Sequence, residues 1–168
     1  PPAHPHPAAI EDAVNVYSAL LDEGVKPDNI YLAGDSAGGN LVLETLIRLR
    51  ELSMPMPAAA CCISPWTDLS MSGETIATKE GVDLLLSPAL LNQFAQHYCA
   101  GASSEQRATS PSISPLAAQL HGLPPLLIQV GSEEILLDDS LRLAENAKRD
   151  GVMVELQIWE KMQHVWPV

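Results

Sequence analysis

In Gly34-Asp35-Ser36-Ala37-Gly38 a serine stands midway between two glycines. A short apolar run, Ile30 to Ala33, precedes it with the length expected of a buried strand, and a helical pattern follows. Gly-x-Ser-x-Gly at a strand-to-helix turn is a nucleophile elbow. The turn forces the serine backbone into a strained conformation, so the glycines on both sides are expected where a Cβ would clash. Such a turn lifts the Ser36 hydroxyl clear of the sheet. It also aims the Ala37 N–H, at a helix N-terminus, toward the place where an oxyanion would form. The competing reading is a plain glycine-rich turn or a phosphate loop. Phosphate binding is disfavoured, because G-x-x-x-x-G-K-[ST] is absent and G-x-G-x-x-G does not fit.

A serine hydroxyl is a poor nucleophile at neutral pH and needs a base within hydrogen-bond reach. His164 is the candidate, because it follows the last apolar run in a loop. A carboxylate must then hold the imidazole in the right tautomer and stabilise its charged form. The segment G-S-E-E-I-L-L-D-D offers Glu133, Glu134, Asp138 and Asp139. Asp138 and Asp139 sit where a helix N-terminus favours carboxylates, so capping is their expected role. Glu134 is preferred over Glu133 as the acid, against the plainer alternative of a solvated loop charge. His4 and His6 lie in a proline-rich stretch and are expected to pack locally, and His121 is a loop residue without a visible partner. His97 and Cys99 are too close in sequence to share a helix face, so no metal site is proposed and no cofactor is expected.

The elements that must position these groups are legible from periodicity. Residues Pro1–Pro7 are expected to be extended, with Pro7 in the first turn of a helix whose stripe is Ile10, Ala13, Val14, Tyr17, Leu20 and Leu21. Gly24 ends that helix and Pro27 prevents its resumption. A second helix, 37–52, is apolar on most sides, with Glu44, Arg48 and Glu51 as its charged face. Ala58–Ser64 is a second buried strand, leading into Trp66-Thr67-Asp68. Ser87-Pro88 reads as an N-cap and N1 pair, followed by a face of Leu91, Phe94, Ala95 and Tyr98. Residues 102–115 read as Ser/Pro-rich loop. A third strand, 125–130, a helix from Asp138 to Asp150, and a last strand, 152–159, complete the chain, the last alternating Val152, Val154, Leu156 and Ile158 against a wetter face. Strands separated by helices mean an α/β fold with a parallel sheet. Ser36, Glu134 and His164 each follow an expected strand, and in such sheets sites lie beyond the carboxyl ends.

Composition sets outer bounds. The 168 residues are one domain's worth of chain, and 46% apolar content supplies a core. A net charge of −12 argues against nucleic acid and anionic membrane surfaces as partners. No run approaches the roughly 18 apolar residues of a membrane span, and no signal peptide is visible. Three cysteines make no disulfide framework. Cys61 and Cys62 read as buried thiols, and a reducing, cytoplasmic setting is preferred.

Jointly, P-P-A-H-P-H-P-A-A, G-D-S-A-G-G-N, S-P-W-T-D-L, L-P-P-L-L-I-Q-V-G, E-I-L-L-D-D-S and M-Q-H-V-W resemble the hormone-sensitive-lipase-like family of α/β-hydrolase carboxylesterases, along essentially the whole chain. The resemblance implies an α/β-hydrolase fold, here a partial, mostly parallel sheet flanked by helices. It implies Ser36 as nucleophile, His164 as base and Glu134 as acid, in that family's chain order, with Ala37 N–H as one arm of the oxyanion hole. A glutamate at position 134 departs from the aspartate commonest there. The implied reaction is hydrolysis of small-molecule carboxylic esters through an acyl-enzyme. The alternatives are an amidase or peptidase on the same groups, or a non-catalytic receptor on the same scaffold, against which retention of His164 counts. Trp66, Asp68 and Trp166 are expected near the substrate pocket or in packing beside it. The family also has an H-G-G-G oxyanion loop, a cap and first strands upstream, and a helix after the histidine. Residues 1–168 are therefore expected to be the C-terminal portion of one catalytic domain, nearly inactive alone, with the elbow strand left as an exposed edge.

Overall fold

The computed structural model describes residues 3–99 and 101–168. The extended reading of Pro1 and Pro2 lies outside them. Residues 3–7 turn rather than extend: Ala8 N donates to the Pro5 carbonyl at 3.1 Å, and His6 N donates to the Tyr98 carbonyl at 2.9 Å.

Four strands pair in parallel in chain order, β1 (Tyr31–Asp35), β2 (Ala59–Ile63), β3 (Leu126–Gly131) and β4 (Val154–Trp159). The register aligns Leu32 with Ala60, Ala60 with Leu126, and Leu126 with Val154. Leu32, Ala60, Cys62, Leu126, Ile128, Val154 and Leu156 thus share one face. Two helices cover that face, α2 (Ala37–Glu51) and α6 (Leu137–Arg149), through Val42, Leu43, Leu46, Leu143, Ala144 and Ala147. Burying a side chain of this size contributes about 1.5–3 kcal/mol, so this layer is the main source of stability. The opposite face, with Ala33, Cys61, Leu127 and Gln129, is half-buried or exposed. Cys61 is therefore only half-buried, contrary to the expectation of two buried thiols, because neighbours on a strand point to opposite faces. Cys62 is enclosed, and burial pushes its thiol up to about 12.

Helix α1 (Ala8–Asp22) packs on α2 with Tyr17 buried and its hydroxyl donating to the Pro55 carbonyl at 2.9 Å. Beyond β2 come three short helices, α3 (Thr75–Thr78), α4 (Pro88–Tyr98) and α5 (Ser104–Thr109). Ser87 caps α4 as expected, accepting from Leu90 N. Helix α5 falls inside the stretch read as loop. Its Ser103-Gln106 capping box satisfies two N-terminal amides, which lets six residues form a helix without an apolar stripe.

Two further expectations fail. Glu44 is 2% exposed rather than part of a solvated stripe, while Arg48 and Glu51 pair at 3.0 Å in solvent. Asp138 and Asp139 do not cap α6, whose N-cap is Leu136. Asp139 turns into the core and accepts from the Thr67 and Asp68 amides at 2.7 and 2.8 Å. Asp138 accepts from Thr75 N at 3.1 Å. Both clasp the segment after β2 to α6, because buried loop amides need acceptors that the sheet no longer supplies.

Candidate active site

At the carboxyl end of β1 the chain enters α2 through Ser36, with φ 52° and ψ −117°. For a residue other than glycine this backbone costs about 1–3 kcal/mol and persists only where the surroundings fix it. Ser36 N donates to the Ile63 carbonyl at 2.9 Å, and the Ser36 carbonyl accepts from Trp66 N at 3.0 Å, so the strand beside it holds the turn on both sides. A Cβ on Gly34 would run into the Gly38 carbonyl, which explains that glycine. Gly38 differs from expectation: a Cβ there would meet only the Asp35 carboxylate, 3.9 Å away. The second tight position is Gly39, where a Cβ would lie 2.7 Å from that of Pro65. The Ala37 amide, in the first turn of α2, donates to no acceptor among the described residues.

Glu134 and His164 meet on the other side of the rim. His164 Nδ1 lies 2.9 Å from Glu134 Oε2, with the two side chains 6% and 0% exposed. The other carboxylate oxygen, Oε1, accepts from Gly131 N and from the Ser64 hydroxyl, each at 2.7 Å. Glu133 instead pairs with Lys79 at 3.4 Å. Of the four carboxylates considered, Glu134 is the one in contact with the histidine.

The histidine loop is held close by its backbone. Glu133 N donates to the Met162 carbonyl at 3.0 Å, Lys161 N to Ser132 Oγ at 2.8 Å, and Val165 N to Ser64 Oγ at 3.1 Å. A Cβ on Gly131 would collide with the Met162 carbonyl, so glycine at the end of β3 permits this approach. Nδ1 being engaged by Glu134, Nε2 is the nitrogen left for a proton acceptor's work. Ser36 Oγ makes no hydrogen bond to His164 or to any other described residue.

Ser36, Ala37 and Asn40 border a groove of about 560 Å³ whose apolar lining includes Leu41, Trp66, Leu69, Leu91 and Phe94. Of the expected face of α4, Leu91 and Ala95 are buried while Phe94 is half exposed and borders this groove. Trp66 borders it too, whereas Asp68 turns away to accept from Ser70, Ser72 and Arg142. Trp166 packs on Trp159, their ring centroids 4.7 Å apart. His6 packs edge-on against Tyr98. Among the described residues no cluster of His, Cys, Asp or Glu is arranged to hold a metal ion. No described helix is long and apolar enough to cross a membrane.

Ser64 escaped the sequence reading. It stands just past the carboxyl end of β2, at the same rim, and that position was the available signal.

The alpha/beta hydrolase fold family matches residues 1–168. The chain is 46% identical over 166 residues to an acetyl-hydrolase of Streptomyces hygroscopicus, covering 99% of this chain and 54% of the relative. It is 40% identical over 161 residues to an esterase of Acinetobacter venetianus, covering 96% and 52%. A solved esterase of the bacterial hormone-sensitive lipase family superposes with a TM-score of 0.94 at 44% identity, covering 98% of this chain and 54% of that one. The chain thus spans about half the length of the curated relatives it matches. The strained serine turn, the buried carboxylate–histidine contact and these likenesses converge: the chain belongs to the alpha/beta hydrolase fold family, among its hormone-sensitive-lipase-like members.

Proposed function

We propose that the protein carrying this chain is a serine carboxylesterase, and that residues 1–168 are the C-terminal portion of its catalytic domain. The observation that carries the proposal is the buried 2.9 Å contact between His164 Nδ1 and Glu134, at the rim where Ser36 occupies its strained turn. Ser36 Oγ attacks the ester carbonyl carbon while its proton passes to His164 Nε2. The carbonyl oxygen, now an oxyanion, takes a hydrogen bond from Ala37 N–H. Collapse breaks the bond to the alcohol, which leaves with the proton from His164. Water then attacks the acyl-Ser36, giving a proton to His164, and the acid departs as the proton returns to Ser36 Oγ. Glu134 fixes the tautomer and stabilises the imidazolium. The apolar groove beside Ser36 suits a small uncharged acyl or alkyl group. The relatives named as esterases support the same reading.

The test is a full-length protein assayed on p-nitrophenyl butyrate, with Ser36→Ala and Glu134→Gln variants. Ser36→Ala is expected to lose about 10³-fold or more in kcat, and Glu134→Gln a comparable amount, because the amide cannot stabilise the imidazolium. A fluorophosphonate that labels some other residue, with Ser36→Ala fully active, would end the proposal.

A further inference from the structure

Four consecutive residues at and just past the end of β2 reach the serine turn, the carboxylate and the histidine loop. The Ile63 carbonyl and the Trp66 amide grip Ser36 from either side. Between them, the Ser64 hydroxyl donates to Glu134 Oε1 at 2.7 Å and accepts from Val165 N at 3.1 Å. Ser64 is fully buried, and a hydroxyl with one proton to give has spent it on the carboxylate. With Gly131 N on the same oxygen, Oε1 has two donors, and Oε2 is left facing the imidazole. Sheet pairing does not require the side chain: Ser64 N donates to the Gln129 carbonyl whatever the residue. Nor does the backbone favour serine, since φ is 46°, where glycine is the easy choice. What serine adds at this position is the hydroxyl.

From this we infer that Ser64 is a positioning residue, locking the rotation of the Glu134 carboxylate and tying the histidine loop to the strand that holds the elbow. The inference rests on the esterase reading above. Without the hydroxyl, Glu134 loses a donor that draws charge from it and that fixes its plane. The carboxylate then swings, which slows turnover.

The experiment compares Ser64→Ala and Ser64→Gly with the parent in the full-length protein on p-nitrophenyl butyrate. Glycine suits the positive φ and so separates loss of the hydroxyl from backbone strain. Rates are expressed per active site titrated with a fluorophosphonate. Both variants are expected to lose about tenfold or more in kcat, the usual worth of a buried hydrogen bond to a charged group, with KM little changed. A per-site kcat and KM both equal to the parent's, with any lost activity explained by fewer titratable sites, would overturn the inference. Ser36→Ala and Glu134→Gln run alongside: if they abolish turnover while both Ser64 variants match the parent, the esterase reading survives without this one. If Ser36→Ala keeps full turnover, both fall.

Discussion

Glu44 shows how a single side chain can contradict its helical wheel. It sits at i, i+4, i+7 with Arg48 and Glu51, yet it is enclosed beside Pro7, Ile10 and Val14, with Oε1 lacking a partner among the described residues. Burial, and secondarily the charge of Glu51, push its carboxyl up to about 8. In the unfolded chain Glu44 gives up its proton near the ordinary carboxylate range, while the folded chain holds it until about pH 8, so the folded state binds more protons in between. Stability is intact below the unfolded value and falls as pH rises toward 8. Glu44→Gln is therefore expected to match the parent at pH 4 and to be more stable at pH 8, on the order of a few kcal/mol. Urea midpoints at the two pH values check it, and equal gaps at both would refute the assignment. Spacing places Glu44 on a stripe, but which stripe α1 covers is decided by packing between two helices, and no local pattern encodes that. Glu134 contrasts with Glu44: it follows β3 within a few residues, so its place at the strand end is local, and there its Oε2 lies 2.9 Å from His164 Nδ1.

Among the elements, the turn from β1 into α2 tests the steric argument most sharply. Gly34 and Gly39 are pressed against backbone and proline, whereas Gly38 has room. Gly39→Ala is expected to cost about 1–3 kcal/mol, because Pro65 cannot yield without moving the segment that holds Ser36. Gly38→Ala is expected to be neutral or to stabilise by up to about 1 kcal/mol, since alanine is the better helix former and its methyl group meets only a side-chain oxygen. Guanidinium unfolding of both variants measures the difference; equal costs would show that the motif's symmetry, not its contacts, sets the requirement. The segment after β2 carries more than periodicity discloses. Asp139 holds its amides from below, with burial pushing that carboxyl up to about 7 against the two hydrogen bonds it accepts. The clasps link residues some seventy positions apart. Capping is a local rule and gave the wrong job for Asp139.

At the scale of the whole molecule, β1 pairs only with β2 among the described residues, and Tyr31 is 69% exposed. Together with a sheet covered on one face, this leaves unpaired amides and carbonyls beside apolar surface, a template for a further strand. The 168-residue segment expressed alone is expected to self-associate through β1, and Ala33→Lys to shift it toward monomer, as sedimentation velocity at micromolar concentration would show. Association unchanged by that lysine would place the contact elsewhere. The sequence by itself determined the parallel α/β order, the elbow and the three groups after three strands, because each follows from short-range periodicity, turn chemistry and the rule that strand ends carry sites. Tertiary structure alone decided that Glu44 is enclosed, that Asp139 serves a loop, and that Ser64 joins the end of β2 to the carboxylate. Those outcomes turn on which distant backbones run side by side, and a one-dimensional pattern carries no measure of that distance.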